Sequence, residues 1–201
     1  MDRGQQQAPL IMVGGVPGAG KSTAMARVLP HLRGVDALDS EDERRRLSAI
    51  APGVPYPYLR PMVHALHQTR ALAELLRGPA GRNGLIVHDP ATRPARLKLI
   101  GSLAQARGWR PVLIFIEVDR EQALAGQRER GRVVDQDRFE GHWRRWADLD
   151  GSPDDPQAAD WRDALTVWPE HYRVSRDEAV GLLGRLAGAE WVPHAPGARA
   201  A

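Results

Sequence analysis

Eight consecutive residues constrain this chain more than any others: Gly15-Val16-Pro17-Gly18-Ala19-Gly20-Lys21-Ser22. They fit the pattern G-x-x-x-x-G-K-[ST], which has a physical meaning only where a buried strand hands over to the N-terminus of a helix. The flanks meet that condition. Pro9 to Val13 reads as a buried strand, and Ser22 to Leu32 reads as a helix. The glycines permit a tight wrap of backbone, so that successive N–H groups and the first turn of the helix face one point. Such a point attracts phosphate.

Each position of the loop then has an expected task. Gly15, Val16, Pro17, Gly18, Ala19 and Gly20 present main chain to a triphosphate. Lys21 neutralises its β- and γ-phosphates, the Ser22 hydroxyl ligates Mg²⁺, and Thr23 flanks the α-phosphate. Of 28 basic residues only Lys21 and Lys98 are lysine, so an ammonium group in this motif is unlikely to be accidental.

The rest of the chain alternates strands and helices. Gly34 to Leu38 is expected as a second strand and Glu41 to Ile50 as a helix. A longer helix spans Tyr58 to Arg77, with Leu59, Met62, Val63, Leu66 and Thr69 at helical spacing. Leu85 to Val87 is a third strand, Arg93 to Arg107 a helix, and Pro111 to Val118 the most apolar strand. Arg120 to Arg130 and Phe139 to Leu149 read as helices, Gly151 to Asp160 as a Pro- and Asp-rich loop, and Ala164 to Trp168 as a fifth strand. Ser175 with Glu178 forms a capping box that opens a last helix to Leu186. Nearly continuous apolar strands alternating with helices imply a five-stranded parallel α/β sheet covered on both faces. The expected organisation is a lead-in at 1–8, one domain at 9–188 and a loose tail at 189–201. Ligands of such sheets lie at the carboxyl ends of the strands, here Gly14 onward, Asp39, Asp89, Asp119 and the residues after Trp168.

Composition excludes several classes. With no cysteine, disulfides, zinc–thiolate sites and thiol catalysis are absent. No run of apolar residues is long enough to span a membrane, and a cytoplasmic location is expected. A net charge of +3 is weak support for a nucleic-acid partner.

A guanine-reading N-K-x-D segment is missing, since the one lysine outside the loop is Lys98 and Leu97 precedes it. ATP is therefore expected rather than GTP. Asp89 is followed by Pro90, not by the water-activating glutamate of a motor ATPase. Transfer of a phosphoryl group to a bound acceptor remains. It requires a carboxylate for the acceptor, support for Mg²⁺ and cations over the phosphates. Asp39 or Glu41 supplies the first, with Arg44 beside Glu41 on one helix face. Asp89 is the candidate second metal-site carboxylate, and Thr92 a cap for the following helix. Arg128 and Arg130, ahead of a Gly131 hinge, are candidate closing cations in a lid-like segment at about 127–137. His64 and His67 are equally compatible with an acceptor pocket or a structural role. Trp143 and Trp146 read as packing groups rather than a base-stacking platform.

The set Gly15 to Ser22, Asp39-Ser-Glu-Asp-Glu-Arg44, Asp89-Pro-Ala-Thr92 and Arg128-Glu-Arg130-Gly131 resembles AAA-family ATP-binding proteins and P-loop kinases. Within these it is similar to polynucleotide 5′-kinase and the zeta-toxin/chloramphenicol phosphotransferase group. By that resemblance the D-x-x-R base falls on Glu41 with Arg44, Asp89 and Thr92 match a strand-end element with one extra residue, and Arg130 matches the lid arginine. The resulting expectation is an ATP- and Mg²⁺-dependent kinase acting on a hydroxyl of a small molecule or nucleotide. The alternatives are a polynucleotide 5′-hydroxyl kinase and a non-catalytic ATP-binding regulator.

Overall fold

Five parallel strands carry the chain in the order β2-β3-β1-β4-β5. The computed structural model describes residues 7–129, 136–150 and 155–188. The expected lead-in and tail, and Arg130 and Gly131 of the expected lid, lie largely or wholly outside them.

The central strand β1 (Pro9–Gly14) is buried along its whole length and pairs with β3 (Gly84–His88) on one side and β4 (Arg110–Ile116) on the other. Such strands need no alternation because helices cover both faces. The loop after β1 enters α1 (Lys21–Val28), which leads to β2 (Val35–Leu38) at one edge. From there α2 (Ser40–Ile50) and α3 (Tyr56–Arg77) return to β3. The crossover from β3 to β4 passes over β1 through α4 (Pro94–Ala106). Right-handed crossovers in opposite directions place α1 and α4 on opposite faces. The backbone therefore parts at the carboxyl end of β1, where a crevice opens.

Beyond β4 come α5 (Arg120–Arg128), α6 (Gln136–Ala147) and α7 (Pro156–Leu165), then β5 (Glu170–Val174) and α8 (Arg176–Ala187). The capping box at Ser175 and Glu178 forms as expected. Trp146 meets Phe115 edge-on with ring centroids 5.1 Å apart, and Trp143 stacks on Phe139 at 6.0 Å. Both tryptophans are packing groups. Among the described residues no helix is long and apolar enough to cross a membrane.

Two expectations fail in the last third. The stretch from Pro156 is a helix, not a loop: Asp155 caps it by accepting from the Gln157 N–H at 2.9 Å. Ala158, Trp161 and Ala164 then form its buried stripe. Consequently Ala164 to Trp168 is not a strand, because its apolar residues belong to the end of α7 and the turn after it. The fifth strand is the alternating Glu-His-Tyr-Arg-Val of 170–174, an edge strand with one face outward. The long helix α3 forms as expected, and its apolar positions divide between two faces. Leu59, Val63 and His67 face inward, whereas Met62 and Leu66 are 53% and 43% exposed and Thr69 is exposed. The helix touches the body through a narrow i, i+4, i+8 stripe rather than a broad face.

Trp168 explains why the turn after α7 is buried. Its indole N–H donates to the Leu97 carbonyl at 3.0 Å, and its ring lies against Gly101 of α4. A side chain on Gly101 would meet the indole nitrogen and a Val167 methyl at 2.7 Å each. Gly101→Val is expected to cost about 1–3 kcal/mol, read as a lower midpoint in urea unfolding. An unchanged midpoint would show that α4 and the turn can separate freely.

Candidate functional site

The loop between β1 and α1 is built by three left-handed glycines, Gly15, Gly18 and Gly20, with φ of 139°, 90° and 98°. No L side chain sits easily there. The same residues are pressed against backbone: a Cβ on Gly18 would lie 2.0 Å from the Ala123 carbonyl oxygen of α5, and one on Gly126 would lie 2.5 Å from the Gly18 oxygen. Loop and α5 thus touch main chain to main chain.

The loop's carbonyls are tied down by side chains. The Arg176 guanidinium, on the first turn of α8, donates to the Gly18 oxygen at 2.6 Å, to the Ala19 oxygen at 3.3 Å and to the Gln122 oxygen at 2.8 Å. Gln127, buried at the end of α5, donates to the Pro17 oxygen at 3.3 Å. These bonds fix the loop's backbone in one conformation. Lys21 is buried and donates to the Gly15 and Val16 oxygens at 2.6 and 3.1 Å. Helix α1 has no side-chain cap. An uncapped helix start beside a buried ammonium group and left-handed glycines is the donor set a polyphosphate requires. Arg176 and Gln127 had no sequence signal, because each lies more than a hundred residues from the loop carbonyl it meets.

Next to the loop lies Asp39. It caps α2 by accepting from the Glu41 N–H at 3.0 Å, and the Ser22 hydroxyl donates to it. Its carboxylate is 3.4 Å from the His88 imidazole nitrogen Nδ1. Burial would raise the Asp39 carboxyl. The charge of His88, the bonds from Ser22 and from the Glu41 N–H, and the charge of His67 outweigh it, so the group titrates below its ordinary value. Glu41 is placed differently: its carboxylate is 3.4 Å from Arg44, and the Arg44 guanidinium stacks over Tyr56 at 4.6 Å. His88 had not been singled out from the sequence, because only the parallel pairing of β2 with β3 brings it beside Asp39.

Asp89 follows β3 and is buried. Its carboxylate accepts from the Ala91 N–H at 2.7 Å, which holds Ala91 at a left-handed φ of 51°, and it pairs with Arg96 at 2.9 Å. Thr92 does not cap α4. The residue before that helix is Arg93, and the Thr92 hydroxyl meets His142 Nδ1 at 3.2 Å. Arg128 is exposed at the end of α5. Arg130 lies outside the described residues.

Two cavities meet here. One, of about 170 Å³, is lined by Gly18, Lys21, Ser22, Asp39, Glu41 and Gln127. The other, of about 270 Å³, is lined by Arg60, His64, His67, Arg93, Arg96 and His142. Ser40, His88 and Pro90 belong to both. His67 is buried and donates to the His88 carbonyl at 2.8 Å, while Arg60 donates to His64 at 3.3 Å. His67 is thus tied into the structure, and both histidines line the chamber. A burial-driven shift, reinforced by Arg145, Lys21, Arg60 and Arg93, lowers His142 to about 4.

A family model described as an AAA domain matches residues 10–152. Three solved structures share the fold. The tunicamycin resistance protein of Deinococcus radiodurans is 18% identical, with 90% of this chain and 94% of that chain covered and a TM-score of 0.51. Shikimate kinase from Acinetobacter baumannii, in complex with shikimate, is 20% identical over 89% and 93% of the two chains, with a TM-score of 0.50. A structure from the PezAT chromosomal toxin–antitoxin system of Streptococcus pneumoniae is 15% identical over 95% and 82%, with a TM-score of 0.56. At these identities the likeness is one of fold, that of the P-loop kinases. No curated protein matches in sequence.

Two measurements follow from this geometry. Removing the tether with Arg176→Ala should cost about 1–3 kcal/mol of stability by freeing loop carbonyls from a charged donor, and should weaken triphosphate binding in the same titration series. Intact binding would mean the loop holds its own shape. His142 is neutral when folded, so it adds stability above its unfolded value near 6.5 and loses it as pH falls from there toward about 4. Melting temperature should drop across that window, and His142→Gln should flatten the drop.

Proposed function

Because this chain belongs to the AAA domain family, matched over residues 10–152, we propose that it is an ATP- and Mg²⁺-dependent kinase that phosphorylates a hydroxyl of a small molecule. One observation carries the reading: the loop cavity and the Arg- and His-lined chamber join at Ser40, His88 and Pro90, beside Asp39. A phosphoryl donor on the loop and an acceptor in the chamber would face each other at that junction.

In this scheme the Gly18 and Gly20 amides, the start of α1 and the Lys21 ammonium group hold the triphosphate, and Thr23 flanks its inner end; the Gly15 and Ala19 N–H groups already donate to the Pro90 and Val16 carbonyls and keep the loop's shape. Ser22, whose hydroxyl donates to Asp39, is the group suited to hold Mg²⁺, which when bound would spread the charge of the β- and γ-phosphates. Asp89 keeps the Ala91 turn and Arg96 in place, so any contribution from it to the metal is indirect. The acceptor hydroxyl oxygen bonds to the γ-phosphorus as the bond to the bridging oxygen breaks. ADP leaves, and the hydroxyl proton passes to Asp39.

A carboxylate held below its ordinary value is a weak base. Phosphoryl transfer through a loose transition state asks little of a base until bond formation is advanced. The main work of Asp39 is therefore to aim the hydroxyl, with His88 fixing the carboxylate's direction. Glu41, drawn to Arg44, is the lesser candidate for that task. Arg128, with Arg130, is assigned to the transferring phosphate as a closing cation. A small acceptor is favoured over a polynucleotide end because the chamber beside Asp39 has a volume of only about 270 Å³.

Purified protein incubated with γ-labelled ATP, Mg²⁺ and a panel of sugars, nucleosides, hydroxy acids, antibiotics and oligonucleotides tests this reading. Label should move to a small acceptor. Lys21→Ala should abolish transfer, and Asp39→Asn should lower it by about 10²-fold or more, while Glu41→Gln stays within about tenfold of the parent. Label on oligonucleotides alone would replace the reading with an end kinase. Tight ATP binding with no transfer to any acceptor would replace it with a regulator.

A further inference from the structure

The polar chamber has a second exit. Behind Arg96 and Asp89, between α3 and α4, runs a groove of about 260 Å³ whose walls are Ala71, Leu72, Leu75, Leu99 and Ile100 and whose floor is Leu10, Met12 and Val87 of the sheet. Met12, Gln68, Asp89, Arg96 and Ile100 line both spaces, so the two are continuous. At the boundary Asp89 and Arg96 neutralise each other at 2.9 Å, and no unpaired charge bars the way from one to the other. Leu72 and Leu99 remain 46% and 59% exposed along the groove. Burying them against a ligand would be favourable at about 25 cal/mol per Å².

The two spaces differ sharply in chemistry. With Arg96 held by Asp89, the chamber presents the guanidiniums of Arg60 and Arg93. The groove is aliphatic and contains no aromatic ring. We propose that the acceptor is amphipathic, with a hydroxylated, anionic head in the chamber and an aliphatic chain lying in the groove between α3 and α4. The proposal rests on the kinase reading for its word acceptor, but the groove's affinity for an aliphatic chain attached to an anionic head stands independently of any transfer. Continuity with the chamber selects this occupant. A ligand seated at the Asp39 junction and longer than the chamber has the groove before it.

The test uses the full chain and straight-chain carboxylates as probes: butyrate, hexanoate and octanoate, titrated by calorimetry below their micellar concentrations. Affinity should rise about threefold to fourfold for each added methylene. Leu72→Glu and Leu99→Glu, both at partly exposed positions outside the proposed catalytic set, should flatten that series while melting temperature and Mg²⁺-dependent ATP affinity stay at the parent level. A flat series in the parent protein overturns the proposal, as does a slope that survives in both variants. So does a dimer, seen by sedimentation, that covers the groove and is dispersed by Leu99→Glu. ATP affinity measured on the same samples separates the two ideas: its absence would remove the kinase reading and leave the chain-length series to decide the groove.

Discussion

The contact on which the site depends is between two stretches of main chain. Gly18 and Gly126 bring the phosphate loop and α5 so close that no β-carbon fits at either. That approach fixes the height of the loop above the sheet. Arg176 then holds the Gly18 and Ala19 carbonyls, which fixes the loop's backbone at the carboxyl end of β1. Anion binding by backbone works only when the dipoles are already aligned, since realigning them would consume the attraction. A guanidinium from the last helix and glycines from two different elements do that aligning before any ligand arrives.

Around this frame the charges are arranged asymmetrically. Asp39 stays ionised because His88, Ser22 and the Glu41 N–H favour its charge more than burial opposes it. His142, across the chamber, is held neutral because burial and its cationic neighbours oppose a further positive charge. On the proposed reading, a fixed negative group at the junction and the guanidiniums behind it orient an anionic acceptor with its charge toward the arginines and its hydroxyl toward the carboxylate. The aliphatic groove extends the same axis away from the junction. Together these features describe two continuous spaces, one polar beside Asp39 and one aliphatic beyond it.

How much could be read in advance follows from how local each feature is. The loop, the capping box at Ser175 and the apolar strands β1, β3 and β4 are carried by neighbours in the chain, and each was legible. The run Ala164 to Trp168 was misread because a buried helix end and a buried strand present the same apolar string. Only the Asp155 cap and the contact of Trp168 with Gly101 distinguish them, and the second is tertiary. On α3, Met62 and Leu66 have helical spacing yet face outward, because spacing defines a stripe without saying how wide a surface will cover it. Thr92 looked like a cap and instead meets His142, fifty residues away.

The sequence by itself determined the α/β class, the place of the phosphate loop between a strand and a helix, and the acidic residue that closes β2, since all three are set by dihedral freedom, apolar runs and spacing within short windows. Only the tertiary structure decided which groups stand around them. It set His88 beside Asp39, turned Asp89 toward Arg96, laid Arg176 and Gln127 on the loop carbonyls and joined the chamber to an aliphatic groove. Those partners come from elements far apart in the chain. They meet because parallel pairing fixes the strand order and because buried polar groups, once desolvated, must find a partner wherever the packing offers one.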